Sequence, residues 1–222
     1  MEFSWTTIII VILLIVILYF VWTMLSSSSS STSSTGGSDA SKPTPLPTTS
    51  SNSFSFSTWL AINDWNGSSS GTIIKNTISS TTTDFKLYLG ATSNDLILEI
   101  GTGASKQTIT VPSIVPLQTW ASIIVSVNNG QTVDIYINGK LVQTTYLNNP
   151  YTLSGTVTVG GGINGYISTT FSATPMGPQD AWDIYSSGFG SGSGSSVTNF
   201  FNKYKVRFAF VKDNVELSKL DI

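Results

Sequence analysis

The sequence predicts an all-β, two-sheet antiparallel sandwich preceded by one N-terminal transmembrane α-helix and a Ser/Thr/Pro-rich linker. Three observations predict it: an uncharged apolar run over 8–22, a polar tract over 26–52, and a period of two in the hydrophobic pattern from Ser53 onward. The chain therefore divides into a membrane segment at 5–25, a linker at 26–52, and a sandwich domain at 53–222 whose last part, 203–222, is a hairpin.

Residues 5–25 read WTTIIIVILLIVILYFVWTML. At about 1.5 Å per residue they reach roughly 31 Å, the thickness of a bilayer's hydrocarbon core. Trp5 marks one end, and Tyr19 and Trp22 mark the other, where amphipathic rings favour the headgroup level. A cleaved signal would carry positive charge ahead of a shorter apolar stretch, but only Met1, Glu2, Phe3 and Ser4 precede this one, so a retained single-pass anchor is expected. Lys42 is the first basic residue, too far along to orient the helix.

The tract 26–52 holds too little apolar surface to offset its chain entropy and in isolation should be disordered. As a flexible chain it reaches about 30 Å on average and about 90 Å when stretched. Pro43, Pro45 and Pro47 stiffen its distal part.

From Ser53 the alternation is that of half-buried strands. Phe54, Phe56, Leu60 and Ile62 share one face, and similar runs fall at 84–90, 95–100, 107–111, 119–127, 131–137, 140–147, 155–160 and 165–171. Asn129-Gly130 and Asn138-Gly139 supply the positive φ of tight hairpin turns. Pro178 opens a short helix over 178–185, and a Gly/Ser loop over 186–196 leads to the strand 203–211. About eleven short strands separated by turn signals indicate two packed sheets.

Composition narrows the chemistry. The chain of 222 residues has no His and no Cys, which rules out a Ser-His-Asp triad, a Cys nucleophile, a His-based zinc site and any disulfide. Ser and Thr supply 36 and 29 residues, charged residues only 10%, and the net charge is −2, so nucleic acid is not the expected partner.

The order FSFSTWLAI, TWASIIVSVNNGQTVDIYINGKLV, VTVGGGINGYIS and GPQDAWDIYSSG resembles the laminin-G-like, concanavalin A-like lectin/glucanase jelly roll over roughly residues 53 to 190. Ala121 and Ser122 stand where that family often has His, and Asn138 where its turn often has Asp. The glucanase branch carries a Glu-x-Asp-x-x-Glu strand, but the three Glu here, Glu2, Glu99 and Glu216, belong to no such motif, so a glycoside hydrolase is the remote alternative. Calcium, which the resemblance implies for many relatives, would draw on the loop carboxylates Asp64 and Asp95, each isolated in sequence; no other cofactor is expected. Trp59 and Trp120 are expected to pack within strands. Trp65, between Asp64 and Asn66 in a turn, is expected to be partly exposed and to cover the core edge, with a sugar platform formed with Asp64 and Asn66 as the alternative, and Asn66-Gly67-Ser68 is a sequon. Lys203, Lys205 and Arg207 form a basic contact strip.

The resulting expectation is a non-catalytic structural tether joining a bilayer to neighbouring proteins of an assembly. Similarity to anchored jelly-roll heads implies a minor capsid protein at a virion's capsid–membrane interface. The alternative is a carbohydrate-binding lectin at a cell or virion surface, with glycans as partner.

Overall fold

A computed structural model describes residues 19, 32–34, 37–65, 70–79, 82–101, 105–189, 207–212 and 215–221, with backbone alone for 32–34 and for everything beyond 206. Ser30–Phe189 is one compact unit. Its first sheet contains β1 (Thr32–Ser34), β2 (Ser38–Asp39), β4 (Phe54–Asp64), β9 (Trp120–Asn128), β10 (Thr132–Ile137), β11 (Lys140–Tyr146) and β13 (Asn164–Ser172). These run in the order β1-β13-β4-β9-β10-β11, with β2 also on β13. The second sheet contains β3 (Thr44–Leu46), β5 (Thr72–Thr77), β6 (Thr83–Leu89), β7 (Leu96–Ile100), β8 (Gln107–Val111) and β12 (Thr156–Val159) in the order β3-β12-β5-β6-β7-β8. Neighbouring strands are antiparallel throughout. The architecture is the two-sheet sandwich that the alternation predicts.

Strand pleating explains which residues meet inside. On β4 the even positions Phe54, Phe56, Leu60 and Ile62 are buried between the sheets. Thr58, at the same parity, shares its hydroxyl with that of Thr169 across to β13 at 3.1 Å. Phe56 contacts Phe54, Phe85 and Phe171 with ring centroids 5.5–5.6 Å apart, an aromatic centre tying both sheets together. The two Asn-Gly turns form as expected: Asn129 and Gly130 have φ of 50° and 68°, Asn138 and Gly139 of 50° and 76°.

Two departures from the sequence reading have clear causes. β5 went unrecognised because register shifts at 72/74 and 76/77 break its alternation. The second shift makes Asp84 the extra residue of a β-bulge and turns its carboxylate inward. There Asp84 accepts hydrogen bonds from Asn76 Nδ2 (2.7 Å) and from the Tyr151 hydroxyl (3.0 Å), and all three side chains are buried. Desolvation holds the Asp84 carboxyl above its ordinary value, partly offset by those two donors.

The second departure is the linker. Its distal half belongs to the sandwich: β2 pairs with Tyr166 and Ile167, and β3 pairs with β12. Ala40 and Leu46 are buried in the core. Pro45 is tolerated because β3 is an edge strand. The sandwich thus starts well before Ser53. At the other end, the sequence reading extends the domain to Ile222, whereas the compact unit ends at Phe189. The expected C-terminal hairpin is present as β14 (Arg207–Lys212) paired with β15 (Val215–Asp221). Among the described residues no helix is long and apolar enough to cross a membrane, and the 5–25 segment, apart from Tyr19, lies outside them.

Two outcomes follow. Leu46→Ala should cost about 2–4 kcal/mol in chemical denaturation although it lies in the Ser/Thr/Pro tract. For Asp84, unfolding releases a proton between the ordinary value of 3.8 and its raised folded value, so its contribution to stability falls as pH rises through that window. Asp84→Asn should therefore gain stability relative to the parent as pH rises above about 4, read from urea midpoints across pH.

Candidate functional site

The outer face of the first sheet is where function-bearing side chains gather. On β4 and β9 the residues facing away from the core include Trp59, Ala61, Trp120, Ser122 and Ile124. Helix α1 (Pro178–Ser187) lies over part of this face and runs two residues beyond the expected 178–185. Pro178 occupies its first turn, and the Asp180 carboxylate accepts the Gly177 N–H at 2.9 Å, holding the start of the helix. Gly188, at φ 80°, stops the helix and donates its N–H to the Tyr185 carbonyl. Ala181 is buried against Ile124 and Tyr136, with Met176 and Ile184 beside them. That contact explains why β9 is buried along both faces from Ala121 to Val127, where a one-sided strand would alternate.

Five rings continue the contact. Trp182 and Tyr185 stand three residues apart on the helix with centroids 5.9 Å apart. Tyr185 lies nearly parallel to Trp59 at 6.4 Å, Trp59 meets the edge of Phe189 at 6.2 Å, and Phe189 stacks on Trp120 at 3.7 Å. Trp59 and Trp120 do pack, as expected of strand residues, but outside the core and against the helix and the residue just beyond it. Trp182, at one end of the array, is 48% exposed, and Phe189, next to Trp120 at the other, is 40% exposed.

At the Trp182 end there is a cleft of about 480 Å³ between α1 and the β10–β11 turn. Trp182, Tyr185, Asn138 and Lys140 line it, with Ile137 and Val142 as aliphatic wall. The turn is held rigidly: Ser122 N–H donates to Asn138 Oδ1 at 2.9 Å, and Asn138 N–H donates to the Ser122 carbonyl at 2.8 Å. A Cβ on Gly139 would come within 3.0 Å of Trp182 Cε3 and 3.1 Å of Tyr185 Cβ, so glycine is what lets the helix approach the turn so closely. The cleft is a half-open depression with aromatic and aliphatic walls and a few polar groups.

The sequence-predicted residues lie elsewhere. Trp65 packs against the core and donates Nε1–H to the Ala91 carbonyl at 3.3 Å. With Asp64, Gly162 and Asn164 it lines a notch of about 20 Å³, room for roughly one water molecule. Asn66 lies outside the described residues. Asp95 accepts the Ser93 hydroxyl and the Ser113 N–H, both at 2.7 Å, and these two bonds, the hydroxyl's first, hold its carboxyl below the ordinary value. Both of its oxygens are thus engaged in shaping a loop. Among the described residues no group of three His, Cys, Asp or Glu could hold a metal ion. Glu99 accepts hydrogen bonds from Lys106 and Tyr88, both at 2.9 Å. Tyr19 is exposed, Trp5 and Trp22 lie outside the described residues, as do Lys203 and Lys205, and Arg207 opens β14 opposite Asp221.

Sequence reasoning missed the cleft because its walls come from residues over 40 positions apart that only the topology joins. One signal was available: Trp59 falls on the parity opposite to Phe54, Phe56, Leu60 and Ile62, so it had to face outward and needed a cover.

A two-sheet antiparallel sandwich with a short helix packed outside one sheet defines a lectin-like jelly roll. Residues 35–174 match the laminin G type 3 family model, described as Concanavalin A-like lectin/glucanases superfamily, and the chain belongs to that family. No curated protein matches the sequence. Among solved structures, the chain is similar to the CBM40 of Ruminococcus gnavus IT-sialidase bound to alpha2,3 sialyllactose, with 12% identity and a TM-score of 0.55, covering 68% of this chain and 97% of that one. It is similar to the botulinum neurotoxin serotype G binding domain, with 16% identity, a TM-score of 0.53, and 72% of this chain against 47% of that one. The serotype D ligand binding domain in complex with N-acetylneuraminic acid gives 17%, 0.52, and 65% against 39%. The chain thus spans less than half the length of these neurotoxin domains, and at such identities the likeness shows the fold.

Gly139→Ala should lower stability by about 1–2 kcal/mol, since it adds a clash to a positive φ, and should change tryptophan emission by displacing α1. Equilibrium denaturation followed by fluorescence checks both.

Proposed function

We propose that the sandwich is a non-catalytic, lectin-like carbohydrate-binding head, that the cleft between α1 and the Asn138-Gly139 turn is its sugar site, and that residues 5–25 anchor the chain in a bilayer at a cell or virion surface. The observation that carries the reading is the pair of rings, Trp182 and Tyr185, beside hydrogen-bonding groups in a concave site. The apolar face of a pyranose packs on such rings, while its hydroxyls need fixed polar partners to set orientation. Two structural neighbours are, by their descriptions, complexes with sialyllactose and N-acetylneuraminic acid, which supports sugar as the ligand class. The reading without catalysis is supported by structural neighbours whose descriptions are of binding domains.

A second reading, a tether between a bilayer and a protein shell, has one favouring observation. β11 is an outer edge strand of seven residues with Leu141 and Tyr146 exposed, a surface on which another chain's strand could pair.

A glycan array probed with the full chain in nanodiscs tests the sugar reading. Binding should appear, and Trp182→Ala should weaken it by about tenfold or more. Absence of binding to every glycan, with pairing of purified shell proteins to β11 instead, favours the tether.

A further inference from the structure

We propose that this cleft selects acidic saccharides, taking a sugar's anionic substituent at Lys140 while its ring lies on Trp182 and Tyr185; the proposal rests on the carbohydrate-binding reading. Four of the residues that line the cleft have polar side-chain groups: Lys140, Asn138, Trp182 and Tyr185. Lys140 Nζ and Trp182 Nε1 only donate. Asn138 Oδ1 already accepts the Ser122 N–H and keeps one further lone pair, while its Nδ2 donates. Side-chain acceptor capacity is thus confined to that lone pair and the Tyr185 hydroxyl. A carboxylate or sulfate only accepts, and it matches this lining.

Charge points the same way. The salt bridge found among the described residues is Lys106–Glu99, so Lys140 has no ion-pair partner among them. The acidic side chains on the adjoining elements are engaged elsewhere. Asp180 accepts the Gly177 N–H, Asp183 accepts Gln179 Nε2 at 2.8 Å, and Asp134 accepts the Thr144 hydroxyl at 2.7 Å. None of the three lines the cleft. A lysine that lines an aromatic-walled depression, with no carboxylate oxygen of the described residues within 4.0 Å of its ammonium, is a cation that an external anion can meet. A charge-assisted hydrogen bond there gives discrimination on the order of tenfold or more against an uncharged isostere.

The experiment uses the full chain in nanodiscs of zwitterionic lipid and four soluble probes: 3′-sialyllactose, its carboxylate methyl ester, lactose, and 3′-sulfolactose. Titration should show sialyllactose or sulfolactose bound at least about tenfold more tightly than the ester and lactose at low salt, with the margin shrinking as salt is raised. Which of the two acids binds better tells a carboxylate site from a sulfate site. Lys140→Gln should erase the margin while weak binding of lactose persists, Lys140→Arg should retain it, and Trp182→Ala should weaken all probes that bind. Equal affinity for the acid and its ester, or a margin that survives Lys140→Gln, overturns the acidic selectivity and leaves the sugar reading standing, provided binding still depends on Trp182. Binding of none of the probes, with none of a wider glycan array bound either, overturns both.

Discussion

The docking of α1 onto the outer face of the first sheet is the interaction on which the site depends. A sandwich needs its inner faces covered and can leave its outer faces to water. Here one outer face carries Ile124 and Tyr136, and the helix covers both by lowering Ala181 between them. With a larger residue at that position the helix would stand further off. Because Ala181 fits, Tyr185 reaches Trp59, and Trp182 comes over the Asn138-Gly139 turn. The cleft is the space left where the helix and the turn meet without closing on each other.

The same docking depends on features inside the sandwich. The hairpin tip that carries Asn138 is pinned to β9 through two hydrogen bonds with the Ser122 backbone, and β9 sits between β4 and β10 in the centre of its sheet. The site is therefore built on rigid elements: a central strand, a tight turn and a capped helix, with hydrogen bonds fixing Asn138. Asp84, Asn76 and Tyr151 play the corresponding role at the other sheet. A buried carboxylate with two side-chain donors fastens the segment around Tyr151, and the Tyr151 ring in turn meets Phe54 edge-on and lies tilted against Phe85.

Much of the architecture could be read from the residues. The parity of Phe54, Phe56, Leu60 and Ile62, the two Asn-Gly turns and Pro178 at the start of α1 are local signals, and local physics decides them. The misses share a cause, which is that they depend on pairing across the chain. Ile73-Ile74 and Asp84 break the alternation because bulges shift the register, and a bulge is decided by the neighbouring strand. Ala40 and Leu46 sit in a tract whose composition argues for disorder, yet the open edges of β13 and β12 offer its backbone hydrogen-bond partners. Trp65, half-buried in its turn, covers the core edge as its favoured reading has it, and its indole reaches back to Ala91. Lys140 and Trp182 had no distinguishing local pattern, and their meaning comes from a helix folding back over a turn some 40 residues earlier in the chain.

The Trp182 end of the aromatic array, and not the loop around Trp65, is the proposed sugar site. The most direct measurement is a titration of the ¹⁵N-labelled chain with 3′-sialyllactose, following the assigned indole N–H resonances of its tryptophans. A saturable shift of the Trp182 signal with Trp65 unmoved is the expected result. A shift confined to Trp65, or no shift at any indole at saturating sugar, would contradict it.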